Sequence, residues 1–441
     1  MSAPGTASST LLRVLGLFFG IAVSIGCTLG VGILRQPGPV AAYLREPWLI
    51  MLMWLAGAVY SALGALNVAE LVAMVPRAGG FYVYAREAMG DPVGFAVGWS
   101  DFLANTAAAA YAATAAVEFL ARIAPNAGAH GTALATAFIL AFAALQWFGI
   151  RLSGRVQQTA SAIAATALMG LVVACFTLPA ASSSAPAPPA PAATLGAALI
   201  LAVQSIVVTY DGWYEPIYFS EETYQAARQI PRAIFGGLAL VTSIYILLNF
   251  AFLRALGPAG LAASKFAAAD AARRVFGPLT DLLLSCVACV ILLTLLHVVL
   301  MTGTRILFAV SRDGLFWPAA ARVAPNGTPR FALLCTTAVS LGLVWTGTVD
   351  RLIALAGFFY VTNYCSSYVS VLVLRKQRPQ AVRPFRIPFY PVPTLLVFAA
   401  SLAFLAGAVV SDRANSVYAL LLLLASIPAR LLFRTRRVSL Q

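Results

Sequence analysis

Long apolar stretches separated by short polar gaps dominate the pattern along the chain. Several exceed the roughly 20 apolar residues that a helix needs to cross a hydrocarbon core. Strands of a membrane barrel would alternate apolar and polar residues, whereas Leu238–Phe252 and Val417–Ala425 are almost continuously apolar. The pattern therefore predicts an all-α polytopic membrane protein with twelve transmembrane helices. The predicted spans are Leu15–Leu44, Trp48–Met74, Pro92–Leu120, Gly131–Gly149, Val156–Leu178, Leu195–Ser220, Ala233–Leu256, Phe276–Val310, Phe331–Trp345, Leu352–Leu374, Thr394–Val410 and Val417–Phe433.

The composition supports the same class of protein. Of the 441 residues, 61% are hydrophobic and only 10% are charged, whereas a soluble domain carries about 25% charged residues. The formal net charge of +14 would suggest nucleic acid as the partner of a soluble protein. Here the basic residues sit between apolar runs, so we predict membrane lipids with anionic headgroups as their partners, and no nucleic acid.

The distribution of basic residues predicts the orientation of the chain. An even number of spans places both termini on one side, and the gaps and span ends on that side hold 20 of the 29 Lys and Arg residues. The opposite side holds eight, and Arg35 lies inside the first span. Basic loops stay in the cytoplasm. We therefore expect a multi-pass protein of the cell inner (cytoplasmic) membrane with both termini cytoplasmic.

One integral membrane domain, residues 1–441, accounts for the whole pattern. The segment Ala180–Ala193 is rich in Ala, Pro and Ser and is interpreted as a flexible connection between spans. The first apolar run is too long for a cleavable signal peptide and lacks a convincing cleavage site. The six cysteines lie in apolar segments, and the pair Cys286 and Cys289 has no second pair nearby. We expect no disulfide framework, no metal site and no cofactor.

Three glycines interrupt the first predicted span. Gly26, Gly30 and Gly32 fall within seven residues, and each costs about 1 kcal/mol relative to Ala in a continuous helix. Two interpretations remain open for this segment. The glycines permit close helix packing, or they mark an unwound stretch whose backbone groups line a wet cavity.

The sixth predicted span favours the unwound interpretation. Asp211, Gly212, Glu215 and Pro216 interrupt an otherwise apolar run, and a carboxylate at this depth must face protein or water. Breaks in spans one and six match the inverted-repeat plan of secondary transporters. Half-helix ends offer N–H groups to a carboxylate and carbonyls to an ammonium group, so the paired breaks suit a zwitterion.

Five short motifs in register resemble those of a known superfamily. The chain resembles the amino acid–polyamine–organocation (APC) superfamily of permeases, particularly its L-type amino acid transporter-like branch. The motifs are Gly30–Leu34 with Pro37–Gly38 in the first span, Pro76–Gly80 after the second, Tyr210–Trp213 with Glu221–Glu222 in the sixth, Gly303–Arg305 with Ser311–Phe316 at the eighth, and Arg383–Pro388 before the eleventh.

The resemblance implies an architecture and a substrate site. The architecture is a LeuT-like 5+5 inverted repeat plus two extra helices, with repeats near residues 14–179 and 195–374 and the extra helices at 391–434. The resemblance implies that the substrate carboxylate meets Gly30, Val31 and Gly32. It implies that backbone carbonyls for the α-amino group come from Thr209, Tyr210 and Asp211, and that Trp213 belongs to the side-chain pocket or a gate.

Two residues depart from the pattern of the family. The position of Val31 often holds Ser or Thr in relatives, so valine leaves only backbone contacts there. Many relatives carry a lysine in the fifth helix at a sodium-like position, where alignment places Ala164. Neither lysine of the chain, Lys265 or Lys376, lies in that helix, so coupling through such a lysine is not expected.

Several ionisable residues inside the spans have more than one interpretation. His297, where relatives often have Asn, is either a proton-coupling site or a neutral histidine bonded to a neighbouring helix. Asp211 caps the second half of the broken helix, carries a proton or binds a cationic substrate. Glu215 and Glu221 are candidates for pairing with basic residues near the cytoplasmic face. The candidates for a coupling ion are H⁺ and Na⁺.

These observations predict a secondary active transporter, not an enzyme. We expect a permease or exchanger that moves amino acids, mainly neutral ones, by alternating access. The alternatives are a polyamine or basic amino acid porter and a non-transporting amino acid sensor. A membrane enzyme would need a nucleophile–base or metal cluster, and the only two histidines, His130 and His297, are far apart in sequence. The oligomeric state stays open.

Overall fold

A computed structural model describes residues 10–177, 179, 195–346 and 349–433. The predicted loop Ala180–Ala193 lies outside the described residues. Within them the chain is helical, and its β-structure is a single bridge between Leu15 and Thr223. The fold is all-α, as the apolar pattern predicts.

The long helices form twelve consecutive spans, each named here by its number. They are Leu17–Thr28 with Gly32–Arg35 and Pro37–Leu44 (span 1), Pro47–Met74 (span 2), Asp91–Ile123 (span 3), Gly131–Trp147 (span 4), Ile150–Phe176 (span 5), Leu195–Thr209 with Glu215–Glu222 (span 6), Ala226–Ala263 (span 7), Thr280–Arg312 (span 8), Arg330–Thr346 (span 9), Val349–Gln377 (span 10), Val392–Ser411 (span 11) and Arg413–Leu424 with Ser426–Phe433 (span 12).

Length and apolar composition are sufficient for a membrane crossing in seven of these spans: 2, 5, 7, 8, 10, 11 and 12. Spans 1, 4, 6 and 9 contain shorter apolar helices. Span 3 is 33 residues long but carries a buried polar series at its centre. It packs extensively against spans 8 and 10, so protein rather than lipid satisfies its polar side chains.

Short helices outside the spans were not predicted. They are Phe81–Met89, Asn126–Ala129, Ala267–Phe276, Gly277–Leu279 and Pro318–Ala321. Gly277–Leu279 falls inside the predicted eighth span, Phe276–Val310, and the other four lie in the gaps between apolar windows, where a hydropathy pattern carries no signal. Span 7 also extends beyond its predicted range, because its helical segment continues past Gly257, which has φ +70° and marks the predicted end of the apolar stretch.

The chain has two faces that can be named from the topology. The N-terminal face carries the start of span 1 and the connection between spans 8 and 9. The opposite face carries the connection between spans 7 and 8, which includes Lys265. Spans 1, 6, 3, 8 and 10 meet at the centre, and span 7 packs against both span 1 and span 2.

Candidate substrate site between spans 1 and 6

Span 1 is broken at its centre. The first helix ends at Thr28, Leu29 leaves the helical region with ψ 79°, and a new helix begins at Gly32. The first N–H groups of a helix have no partner within it. The break therefore presents free backbone donors at residues 31–33, and the glycines are part of an unwound segment rather than of a continuous packed helix.

Span 6 is broken at the same depth. Its first helix ends at Thr209, and a 3₁₀ helix begins at Glu215. Gly212 between them has φ +105°, and a Cβ there would lie 2.8 Å from the backbone carbon of Cys27. Only glycine accepts this conformation and this approach without strain, so Gly212 allows the two breaks to touch.

Tyr245 of span 7 joins the two breaks. Its hydroxyl lies 2.5 Å from the carbonyl oxygen of Thr28 and 3.0 Å from that of Thr209. These carbonyls are the last of their half-helices, where no intrahelical donor remains. One buried hydroxyl thus lies between the carbonyls at the two breaks and shares its single hydrogen between them, and nothing in the motif pattern pointed to it.

A cavity of about 430 Å³ lies between the two breaks. Of the seven predicted substrate-binding residues, five line it. They are Gly30, Val31, Gly32, Thr209 and Asp211. The structure thus brings both broken segments to one cavity, with free amides on one wall and an acidic side chain on another.

The other two predicted residues lie behind the cavity wall. The ring of Tyr210 packs against those of Trp54 and Tyr245, with centroid distances of 6.1 and 5.0 Å. Trp213 is buried, its carbonyl accepts a hydrogen bond from Ser24, and its ring stacks behind Tyr364 at 5.7 Å. In this conformation the Trp213 side chain therefore neither lines the cavity nor closes it.

Two tyrosines of span 10 take the place expected for Trp213. Tyr360 and Tyr364 line the cavity, and Tyr368 continues the same series. Residues four apart share one face of a helix. The spacing of these three tyrosines was therefore a usable signal for an aromatic face that was not read from the sequence.

The Asp211 carboxylate accepts a hydrogen bond from the Tyr364 hydroxyl. The predicted capping role is wrong, because the 3₁₀ helix that follows begins without any side-chain cap. The side chain points across to span 10 instead of forward along span 6. Asp211 therefore links the two walls of the cavity and remains available to a substrate ammonium group.

The two glutamates that were candidates for pairing with basic residues, Glu215 and Glu221, have different partners. Glu221 pairs with Arg312, at 2.7 Å, as predicted. Glu215 does not pair with an arginine, and this prediction is wrong. It accepts a hydrogen bond from the Thr302 hydroxyl at 2.6 Å and another from the Cys27 thiol at 3.6 Å. The break turns its side chain toward spans 1 and 8, away from the basic surface.

Among the described residues, the exposed end of the cavity lies at the face opposite the N-terminus. Arg35, Gln36 and Lys265 line its outer end, and the side chains of Arg35 and Lys265 are exposed. These residues belong to the face opposite the N-terminus. A ligand can thus enter from that face and reach the unwound segments directly.

Ion pairs close the N-terminal face beneath the cavity. Glu222 and Arg305 form a fully buried bidentate pair with distances of 3.0 and 3.1 Å. Asp313 accepts from Arg77 at 3.1 Å and Arg86 at 2.9 Å. Bidentate arginine–carboxylate contacts are strong and directional. The end of span 6, span 8 and the connection between spans 2 and 3 are thereby held together.

His297 lies away from the cavity. Its Nδ1 is 3.0 Å from Oε1 of Gln157, whose amide nitrogen donates to Ser161. Ser161 donates to the carbonyl of Ala22 in span 1 at 2.6 Å. This chain of hydrogen bonds matches a structural histidine bonded to neighbouring helices, and its role in proton coupling stays a prediction.

Among the described side chains, no group of three His, Cys, Asp or Glu residues is arranged as metal ligands. The cavity wall offers backbone donors, the Asp211 carboxylate, hydroxyls, the Cys27 thiol and cations at the entrance, which can bind a small polar ligand.

Two broken spans around a cavity that is open to one face define a membrane secondary transporter. The model of the amino acid permease family matches residues 11–427. The chain belongs to this family.

Curated relatives cover nearly the whole chain. The serine/threonine exchanger SteT of Bacillus subtilis (strain 168) is 26% identical over 98% of this chain and 100% of its own length. The large neutral amino acids transporter small subunit 2 of Rattus norvegicus is 28% identical over 91% of this chain and 78% of its own. The b(0,+)-type amino acid transporter 1 of Mus musculus is 26% identical over 97% and 89%.

Proposed function

We propose that this permease takes up or exchanges small neutral amino acids by alternating access at the cavity between spans 1 and 6. The observation that carries the proposal is the convergence of two unwound segments on one cavity. Free amides at residues 31–33 suit a carboxylate, and the Asp211 carboxylate suits an α-ammonium group. A zwitterion satisfies both walls at once.

The electrostatics of the entrance support neutral substrates. Arg35 and Lys265 stand at the outer end of the cavity and repel a second positive charge on a ligand. Among the described residues that line the cavity, Asp211 is the only acidic one, and an α-ammonium group already requires it. The names of two relatives, an exchanger for serine and threonine and a transporter for large neutral amino acids, agree with this class.

The proposed membrane is the cytoplasmic membrane, with both termini in the cytoplasm. The excess of basic residues on the N-terminal face supports this orientation. The cavity would then face outward, and the ion pairs of the N-terminal face would close the cytoplasmic side. The candidate coupling ions are H⁺ and Na⁺.

A polyamine or basic amino acid porter is the second candidate, because Asp211 places a carboxylate on the cavity wall. The test is counterflow in proteoliposomes loaded with unlabelled L-serine, with labelled L-serine outside and competitors added. We expect neutral amino acids to compete, and arginine and putrescine to fail. Protein-free liposomes are the control.

Other outcomes would contradict the proposal. Competition by putrescine that disappears in Asp211→Asn would support the amine porter. Binding of amino acids in a thermal-shift assay without any flux would indicate a sensor with a transporter fold. Absence of both binding and flux across the panel of amino acids would exclude the proposed substrate class.

A further inference from the structure

Glu215 is a carboxyl group in the protein interior without a cationic partner. Its side chain is fully buried, and it forms no ion pair with any described residue. Its two contacts are neutral: the Thr302 hydroxyl on Oε2 and the Cys27 thiol on Oε1. The other carboxylates on the terminal part of span 6, Glu221 and Glu222, both have arginine partners.

Arg305, one helical turn from Thr302 on span 8, is already paired with Glu222 and supplies no partner for Glu215. The titratable groups that face it are Cys27 on span 1, Asp101 on span 3, Asp211, Tyr214 and Tyr218 on span 6, and Tyr360 on span 10. None of them is basic. Asp101 is itself buried, and the single Tyr218 hydroxyl donates toward both of its carboxylate oxygens, which lie 2.9 and 2.8 Å away.

An ionised carboxylate at this position would be costly. Burying an unpaired charge costs several kcal/mol or more, and two neutral hydrogen bonds recover only part of that. The same carboxyl carrying a proton is neutral, and it keeps both oxygen atoms within reach of Thr302 and Cys27. The structure therefore favours Glu215 as a neutral acid in this conformation.

The location of Glu215 connects the two faces of the protein. On one side, Cys27 is also a lining residue of the substrate cavity. On the other side, Thr302 lies one helical turn before Arg305, which pairs with Glu222 to close the N-terminal face. The Glu215 side chain thus lies between the open cavity and the Glu222–Arg305 pair. Cys27 connects it to the cavity, and Thr302 connects it to the helix that carries Arg305.

We propose that the Glu215 carboxyl carries the proton that is coupled to amino acid transport. The inference rests on the proposed transport function. A proton from water in the cavity adds to a carboxylate oxygen of Glu215 while the face of Lys265 is open. When the Glu222–Arg305 pair separates, water reaches the carboxyl from the N-terminal face. The O–H bond then breaks, and the proton leaves to that side with the substrate.

The first test measures the protonation state without any substrate. Infrared spectra of the purified protein in lipid report the carbonyl stretch of protonated carboxylic acids. We expect one such band in the wild type to disappear in Glu215→Gln. Glu118→Gln is the matched control, because Glu118 lies on the exposed side of span 3 and should leave the band in place.

The second test measures coupling. Proteoliposomes with an alkaline interior and the membrane potential clamped at zero receive labelled L-serine. A gradient of one pH unit corresponds to about 1.4 kcal/mol, and for one proton per substrate it drives up to about tenfold accumulation. We expect accumulation by the wild type that a protonophore abolishes. Glu215→Gln should lose accumulation but keep counterflow within about twofold of wild type.

Three results would overturn the proposal. One is an unchanged carboxylic acid band in Glu215→Gln, and another is accumulation by that variant. The third is counterflow by the wild type without any accumulation in the pH gradient, which decides the matter even if the variant does not fold. Wild-type protein without any amino acid counterflow would instead refute the proposed function, and the infrared result would still report on the Glu215 proton.

Discussion

Gly30 is the position at which adding one methyl group, as in Gly30→Ala, tests the substrate cavity directly. A Cβ added there would find no protein atom closer than 3.8 Å, and the residue lines the cavity. We predict that Gly30→Ala folds normally but weakens L-serine uptake by about tenfold or more, because the methyl group occupies substrate space. Concentration-dependent counterflow should locate the loss in the apparent KM.

Gly170→Ala is the matched control for this substitution. Gly170 lies in span 5, and its added Cβ would also meet nothing within 4 Å. It is exposed on the outside of the bundle, so uptake should remain unchanged. If both variants lost L-serine uptake equally, or if Gly30→Ala kept full uptake, Gly30 would not be part of the substrate site.

Single residues were predictable where they belong to a contiguous motif. The five predicted residues on the cavity wall belong to, or in the case of Thr209 directly precede, short glycine- or aspartate-containing motifs around the breaks. Tyr245, Cys27 and Thr302 come from outside those motifs and meet only through folding. Their contacts span 217, 188 and 87 residues along the chain. A single sequence provides no measure of such distances, so these partners could not be assigned.

The broken end of span 6 and the body of span 8 are joined by the buried pair of Glu222 and Arg305. We predict that Glu222→Gln destabilises the conformation with a closed N-terminal face, because an unpaired buried arginine costs about 3–5 kcal/mol. The melting temperature should fall. Labelling of Cys27 from the face of Lys265 should also decrease, since the conformation open to that face becomes less populated.

Glu221→Gln provides the comparison for this pair. Glu221 and Arg312 are about 20% exposed, so water replaces part of the lost interaction, and such pairs are worth about 1 kcal/mol or less. We expect Glu221→Gln to lower the melting temperature and the labelling of Cys27 less than Glu222→Gln does. If the two variants behave alike, burial of the Glu222–Arg305 pair does not control the N-terminal face.

Elements were predictable to the extent that hydropathy defines them. All twelve spans follow from apolar windows, and glycine and proline correctly marked the interruptions of spans 1 and 6. Helices such as Phe81–Met89 and Ala267–Phe276 carry charged and small residues, and contacts with the bundle stabilise them. The 3₁₀ geometry after Glu215 was also not predicted, because the residues around Pro216 are compatible with either helix type.

The molecule as a whole presents an aqueous path from one face to Cys27. Cys27 is partly exposed and lines the cavity. We predict that a membrane-impermeant maleimide added to intact cells labels the wild type and that excess L-serine protects it. Cys27→Ser should lose the part of the label that L-serine protects, because Cys286 is also exposed and provides a second thiol. Labelling only in inside-out vesicles would reverse the proposed orientation, since the cavity would then face the cytoplasm.

The orientation and the open face differ in how far the sequence could predict them. Counting basic residues on either side of twelve spans requires only the span boundaries, and it predicts one orientation. Which face is open depends on pairs such as Asp313 with Arg77 and Arg86, which are 236 and 227 residues apart in sequence. The arginine and aspartate were visible in the motifs, but their partners were not.

The arginine–carboxylate pairs of the N-terminal face have a consequence for how the protein switches. Each pair joins two different segments of the chain. If the N-terminal face opened only in part, at least one charged side chain would therefore lose its partner. Half-released arrangements that separate the fully buried Glu222–Arg305 pair are high in free energy and short-lived, whereas separation of the partly exposed Glu221–Arg312 pair adds little. The arginine–carboxylate pairs should therefore separate together. The transporter should then switch cooperatively between two well-populated conformations, and the N-terminal face should not open gradually.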